Sequence, residues 1–427
     1  MKVVSPEKKT PGAAGALLAT FTLAAFSPVV VTVLLVIYVL ARYRGAGARI
    51  REGSQPSIQG TPGVKTMSEV MAFLKEVPFR RKLPTFAATA VYGLIDSLSF
   101  ALGNVRATAG LVFPYPDAFE AVVVESRDGT PICGLLALQQ GAGAKPALII
   151  VHGLFGSKNS HGIQALALRA YYEWGFHVFA MDLRNFGDSS RFSEAPTSWG
   201  HREADDVLAV ADYLAATNRV STVGACGVNM GAASVMLAAA RCQVDGPLAG
   251  GVVALDGYAD AERMLEKITT ISRQWPGSVL TWLMFRFMMA FKTLAGGPRV
   301  FTDLRTYTRE VSTQYYEIGE QELYRRASPV RTVGEIEVPC LIVHALDDFI
   351  VPIDEAYDLL AAAIDNPMVD SLVVPSGGHA LYHLTSPAWI NTTLRAFFSY
   401  WAEFGTLDEE WTGPPTDSID TFGNPNN

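Results

Sequence analysis

The hydrophobic pattern changes character three times along the chain. The first stretch is continuous: no charged residue lies between Lys9 and Arg42, and residues 14–41 are almost wholly apolar. About 20 apolar residues suffice to cross a hydrocarbon core, whereas the apolar region of a cleavable signal peptide runs to about 7–15. Residues 14–41 are therefore expected to form an uncleaved transmembrane anchor behind a polar tail of residues 1–13, with Pro28 near mid-span. The second stretch, residues 42–117, is mixed. Arg51 to Val64 is rich in Gly, Ser, Pro and Gln and reads as a linker. Met67 to Lys75 has the spacing of a short amphipathic helix. Leu83 to Phe113 is apolar but broken by Asp96, Asn104 and Arg106. That pattern suits a helix packed on the domain, or lying at a membrane surface, better than a second span.

The third stretch, residues 118–404, alternates short apolar runs with helical periodicity. Strands are expected at Ala121–Glu125, Ile132–Leu138, Ala147–Val151, His177–Met181, Thr222–Cys226, Gly250–Leu255, Cys340–His344 and Ser371–Val374. Asp128-Gly129 between the first two marks a hairpin. The later runs are apolar on both faces, as strands of a parallel sheet covered by helices must be. Helices are expected at Gly162–Trp174, Glu203–Ala215, Gly231–Arg241, Ile353–Ala363 and Pro387–Phe404. An antiparallel hairpin followed by repeated β-α units predicts an α/β fold, with a mainly parallel sheet of eight strands and helices on both faces.

About 80 residues separate Leu255 from Cys340, far more than an ordinary connection between elements. A helical cap near residues 258–330 is the expectation. Its most apolar part, Trp275 to Ala295, reads as cap core, or as a lid that shapes an acyl tunnel or lies on the membrane. Tyr315, Tyr316 and Tyr324 then lead back to the sheet. Residues 405–427 form an acidic tail rich in Pro, Gly and Asn, for which disorder is expected.

Composition removes several classes of function. The formal net charge is −8, and five of the acids (Asp408, Glu409, Glu410, Asp417, Asp420) lie in a tail without Lys or Arg. The body is nearly balanced, which argues against a nucleic-acid partner. The four cysteines (Cys133, Cys226, Cys242, Cys340) form no CxxC pair, so neither a disulfide scaffold nor a zinc knuckle is expected. No nucleotide loop, haem site or metal constellation is visible, and no cofactor is expected. Basic residues on the two sides of the anchor are nearly tied, with Lys2, Lys8 and Lys9 before it and Arg42, Arg44, Arg49 and Arg51 after it. Unpaired cysteines favour a reducing compartment, so the large domain is expected on the cytoplasmic side of a single-pass membrane protein.

Three loops at strand ends carry unusual chemistry. His152-Gly153-Leu154-Phe155-Gly156-Ser157 follows one buried strand, and its glycines would let backbone N–H groups face a ligand. Gly227-Val228-Asn229-Met230-Gly231 joins a strand to an Ala-rich helix by a tight turn. Asp347-Asp348 follows a third strand, and Gly377-Gly378-His379 follows the next. His152 and His344 read as structural, and His379 with His383, four apart but without a following Glu, is a poor metal pair.

Order, spacing and context of these loops resemble the α/β-hydrolase superfamily over roughly residues 119–404. HGLFGS resembles its oxyanion loop, and Asp182–Ser190 its usual signature after the next strand. The anchor, HGLFGSKNS, SPVRTVGEIEVPCLIVHALDD and SGGH together are most similar to the YheT-like branch, which includes membrane-anchored lipid esterases. The resemblance implies Asp348 as the orienting acid (Asp347 the less favoured neighbour), His379 as the general base, and the N–H groups of Leu154 and Met230 as oxyanion donors. It implies a lipid-like acyl ester as substrate.

At the elbow the chain departs from that pattern. Gly-x-Ser-x-Gly is expected, and residue 229 is Asn. A carboxamide is a poor nucleophile because its nitrogen lone pair is delocalised. Cys226 falls inside the expected strand, and Ser234 lies a helical turn beyond the elbow and faces away. Asn does tolerate the positive φ that an elbow requires. Three readings follow: a pseudo-hydrolase that binds a ligand or protein with a retained turn; an enzyme in which Asn229 deamidates to Asp or polarises a water for His379; or a serine replaced in this particular chain.

Overall fold

The computed structural model describes residues 65–85, 87–89, 114–270 and 304–402. The expected anchor at residues 14–41, the linker at 51–64, most of the 83–113 stretch, the 275–295 segment and the acidic tail lie outside them. Among the described residues no helix is long and apolar enough to cross a membrane. Helix α1, Met67–Glu76, begins with Thr66 accepting from the Glu69 N–H, and buries Met67, Val70, Met71 and Leu74 at i, i+3, i+4 and i+7. The hairpin β1 (Glu120–Glu125) and β2 (Pro131–Ala137) turns at Gly129, whose φ of 79° places it in the left-handed region.

The β-α alternation then runs β3 (Lys145–Val151), α2 (His161–Tyr172), β4 (His177–Met181), α3 (His201–Ala215), β5 (Val220–Val228), α4 (Met230–Ala239), β6 (Val252–Leu255) and α5 (Ala261–Thr269). Short helical pieces occupy 304–335. The chain closes with β7 (Cys340–Ala345), α6 (Ile353–Ala362), β8 (Val369–Val374) and α7 (Pro387–Ala402). One eight-stranded sheet results, in the order β1-β2-β4-β3-β5-β6-β7-β8. β1–β2 and β2–β4 pair antiparallel, and every other pairing is parallel.

Alternation along β3 shows why this sheet needs cover on both faces. Ala147, Ile149 and Val151 join a core with residues of α3, α4 and α5, whereas Leu148 and Ile150 join a second core with residues of α1, α2 and α7. At about 25 cal/mol per Å² of apolar area removed from water, the two cores supply the main drive for folding. All ten residues of α4 are buried, and its small side chains let it lie close to the sheet. All four cysteines are buried and unbridged.

Register aligns the carboxyl ends of the parallel strands. Val151 pairs with Met181 and Gly227, Val228 with Leu255, Leu255 with Val343, and Ala345 with Val374. The loops that follow these residues therefore open on one edge of the sheet, where α/β folds bind ligands.

Candidate active site

Asn229 stands at the apex of the turn from β5 into α4, with φ 52° and ψ −113°. A non-glycine residue held there stores about 1–3 kcal/mol of strain, so the turn must be fixed from several sides. The Asn229 N–H donates to the Leu255 carbonyl at 3.0 Å, and its own carbonyl accepts from the Ala233 N–H at 3.1 Å. A Cβ at Gly231 would lie 2.5 Å from the Val151 carbonyl oxygen, and one at Gly153 would lie 2.9 Å from the Asn229 Cβ. Glycine at both positions lets the His152–Ser157 loop and the elbow touch.

That contact defines the centre of the site. The Leu154 N–H donates to Asn229 Oδ1 at 3.3 Å. Met230 is the first residue of α4, so its N–H has no acceptor within the helix. Asn229 itself is 7% exposed. The oxyanion loop is tied down by a buried ion pair: Lys158 Nζ binds the Asp182 carboxylate and reaches Asp188 at 2.7 Å, and the Lys158 N–H donates to Asp182 Oδ1 at 2.7 Å. His152 is structural, as expected: Nδ1 bonds the Gly153 carbonyl at 2.7 Å and Nε2 accepts from the Leu183 N–H at 3.0 Å. Those two bonds fix a neutral tautomer, and burial pushes its pKa down.

On the other side of the edge, His379 Nδ1 lies 2.8 Å from Asp348 Oδ2. The second Asp348 oxygen accepts from the Ile350 and Val351 N–H groups at 2.7 and 3.0 Å. Burial alone would lower the His379 pKa, but the Asp348 carboxylate, aided by Asp256, raises it above its ordinary value. Asp347 does other work: its Oδ1 accepts from the Gly377 and Gly378 N–H groups, both at 2.8 Å. The two neighbouring acids are thus separated by geometry, and only Asp348 touches the His379 ring in these bonds.

Sequence reasoning missed Asp256, which follows β6 with φ 48° and no exposure. Its carboxylate accepts from the Ala345 N–H (3.0 Å), the Ala380 N–H (2.9 Å) and the Tyr382 hydroxyl (2.9 Å). Burial pushes its pKa above the usual carboxylate range. The available signal was a charged residue directly after a fully apolar strand. Asp256, His344 and Asp348 are the one group among the described residues where three possible metal donors converge. The carboxylate oxygens there are already engaged by N–H and O–H donors, so the cluster reads as scaffold, although His344 Nδ1, 3.8 Å from Asp256 Oδ1, makes no hydrogen bond while Nε2 meets the Val351 carbonyl at 2.9 Å. His383 lies beside His161, with ring centroids 5.0 Å apart and the planes tilted by 46°.

A small pocket adjoins the loop that follows β3, lined by Leu154, Phe155, Asn185, Phe186, Thr197, Leu304 and Tyr307. Leu304 and Tyr307 come from the region expected as cap, and Tyr316 from the same region bonds the Pro196 carbonyl and buried Arg184. Cap-region residues therefore do meet the edge that carries Asn229.

Among solved structures, the chain is similar to the Pyrococcus furiosus esterase Pf2001, at 16% identity over 66% of this chain and 93% of that one, with a TM-score of 0.49. It is also similar to a puromycin-hydrolysing peptidase of Mycobacterium tuberculosis, at 15% identity over 69% of this chain and 41% of that one, with a TM-score of 0.51. The second likeness is one of fold. No curated protein matches the chain. The model of the alpha/beta hydrolase family matches residues 148–393, which hold the strand edge, the elbow and the acid–histidine pair, and the chain belongs to that family.

Proposed function

We propose that this protein is a membrane-anchored member of the YheT-like branch, whose domain keeps an ester-hydrolase frame for lipid-like acyl esters and holds Asn229 in the nucleophile's place. In this reading Asp348 orients His379, His379 is the base, and the Leu154 and Met230 N–H groups receive the acyl oxygen. A serine at the elbow would give its proton to His379 Nε2 while the oxygen attacks the ester carbonyl. Asn229 has no such proton to give and no free lone pair on nitrogen, so the chain forms no acyl-enzyme and turns esters over slowly or not at all. The observation that supports this most is the Asp348–His379 bond of 2.8 Å, retained on the edge that carries a positive-φ elbow.

A second reading, a ligand- or protein-binding module at the membrane, has its own support. Asn229 Oδ1 already accepts from the Leu154 N–H, so the residue's own amide oxygen sits where an acyl oxygen would bind. Kinetics on p-nitrophenyl esters separate the two. The frame reading expects Asn229→Ser to be measurably faster than the Asn form, and the gain to vanish on adding His379→Ala. A folded Asn229→Ser protein without activity would favour the binding module. Robust activity of the Asn form that survives Asn229→Ala would place the nucleophile elsewhere and end both readings.

A further inference from the structure

The loop that carries His379 is held by two carboxylates other than Asp348. Asp256 takes the Ala380 N–H and the Tyr382 hydroxyl on the C-terminal side of His379 in the chain. Asp347 takes the Gly377 and Gly378 N–H groups on the other. A further contact to Asp347 comes from far away in the chain: the Thr85 hydroxyl donates to Asp347 Oδ2 at 2.5 Å. Thr85 is 1% exposed. Its segment is also seated against the helical chain that follows this loop. The Lys82 N–H donates to the Thr385 carbonyl at 2.7 Å, and the Phe79 ring lies edge-on to Trp389 with centroids 5.2 Å apart. A Cβ on Gly378, where φ is 57°, would fall 2.7 Å from the Thr85 Cγ2. Methyl and hydroxyl thus both touch the structure that ends in His379.

We propose that Thr85, carried on the segment ahead of the hydrolase domain, is a positioning residue for His379 that acts through Asp347. Asp347 Oδ1 holds two successive N–H groups and Oδ2 takes the Thr85 hydroxyl, so the three bonds together set the plane of the carboxylate under the loop. The same segment leads towards the membrane-anchoring region proposed above, so the setting of His379 depends on chain outside the hydrolase domain. The activity arm of this inference rests on the reading of His379 as a base; the geometric arm does not.

The experiment uses the full chain with Asn229→Ser, and compares Thr85→Val, which keeps the methyl and loses the hydroxyl, with Thr85→Ser, which keeps the hydroxyl. NMR on histidine-labelled protein follows the His379 Nδ1 proton and its titration, and steady-state kinetics on a short acyl ester give kcat and KM. A misplacement of about 1 Å costs up to about 10²-fold in rate, and the loss of one indirect tether is expected to lower kcat about tenfold with KM within about twofold. Thr85→Val should shift the His379 resonance and titration, and Thr85→Ser should restore both signals. An unchanged His379 titration in Thr85→Val would overturn the inference. So would equal losses in Thr85→Val and Thr85→Ser, which would assign the effect to methyl packing. If the Asn229→Ser background is itself inactive, the proposed function fails, and the NMR comparison still decides the role of Thr85.

Discussion

Burial of the His379 ring disfavours its imidazolium, and the Asp348 carboxylate 2.8 Å away outweighs that, leaving the pKa above the ordinary 6.5. A general base works only when neutral, so activity of an Asn229→Ser protein should fall as pH is lowered through a value above 6.5. In Asn229→Ser/Asp348→Asn the stabilising charge is gone, so the acidic limb should move to lower pH. The plateau rate should fall about 10⁴-fold, the scale for replacing the acid of a serine triad by its amide. A pH–rate profile of the two proteins checks both statements. The residue scale is also where sequence alone was least able to choose. Asp347 and Asp348 have the same chemistry one residue apart, and only the side-chain directions separate a loop tether from an orienting acid. Asp256 showed in the sequence only as a charge directly after an apolar strand; its reach across to β7 and the His379 loop is a relation that no local pattern encodes.

Elements were far more legible than side-chain roles. All eight expected strands and the alternating helices are present, because two-sided burial forces continuous apolar runs and short connections bound them. The differences lie at ends. β5 runs from Val220 to Val228, beyond the expected Thr222–Cys226, because Gly227 still pairs with Val151 and Val228 with Leu255. The elbow's positive φ was readable from its two glycines and from Asn itself. Packing at that turn makes a prediction of its own: Gly231→Ala would drive a methyl into the Val151 backbone, 2.5 Å from its oxygen. Overpacking of this kind costs about 1–3 kcal/mol, and a backbone neighbour cannot swing away. A lowered denaturant midpoint with unchanged slope is expected; an unchanged midpoint would mean that α4 can lift off β3.

For the whole molecule, the anchor proposed at residues 14–41 makes a prediction of its own. Deleting residues 1–42 should release most of the protein into the soluble fraction, because residues 14–41 hold the longest uncharged apolar run of the chain. Association that persists after the deletion would point to 83–113 or 275–295 instead.

The central claim is that the frame is intact apart from its nucleophile, and covalent labelling tests it without any knowledge of the substrate. A fluorophosphonate reacts with a serine only where a base withdraws its proton and oxyanion donors receive the phosphoryl oxygen. The full chain, Asn229→Ser and Asn229→Ser/His379→Ala are treated with the probe, digested and read by mass spectrometry at the peptide that contains residue 229. The account predicts an adduct at residue 229 in Asn229→Ser alone. A folded Asn229→Ser protein that stays unlabelled, or an adduct that persists without His379, would contradict it.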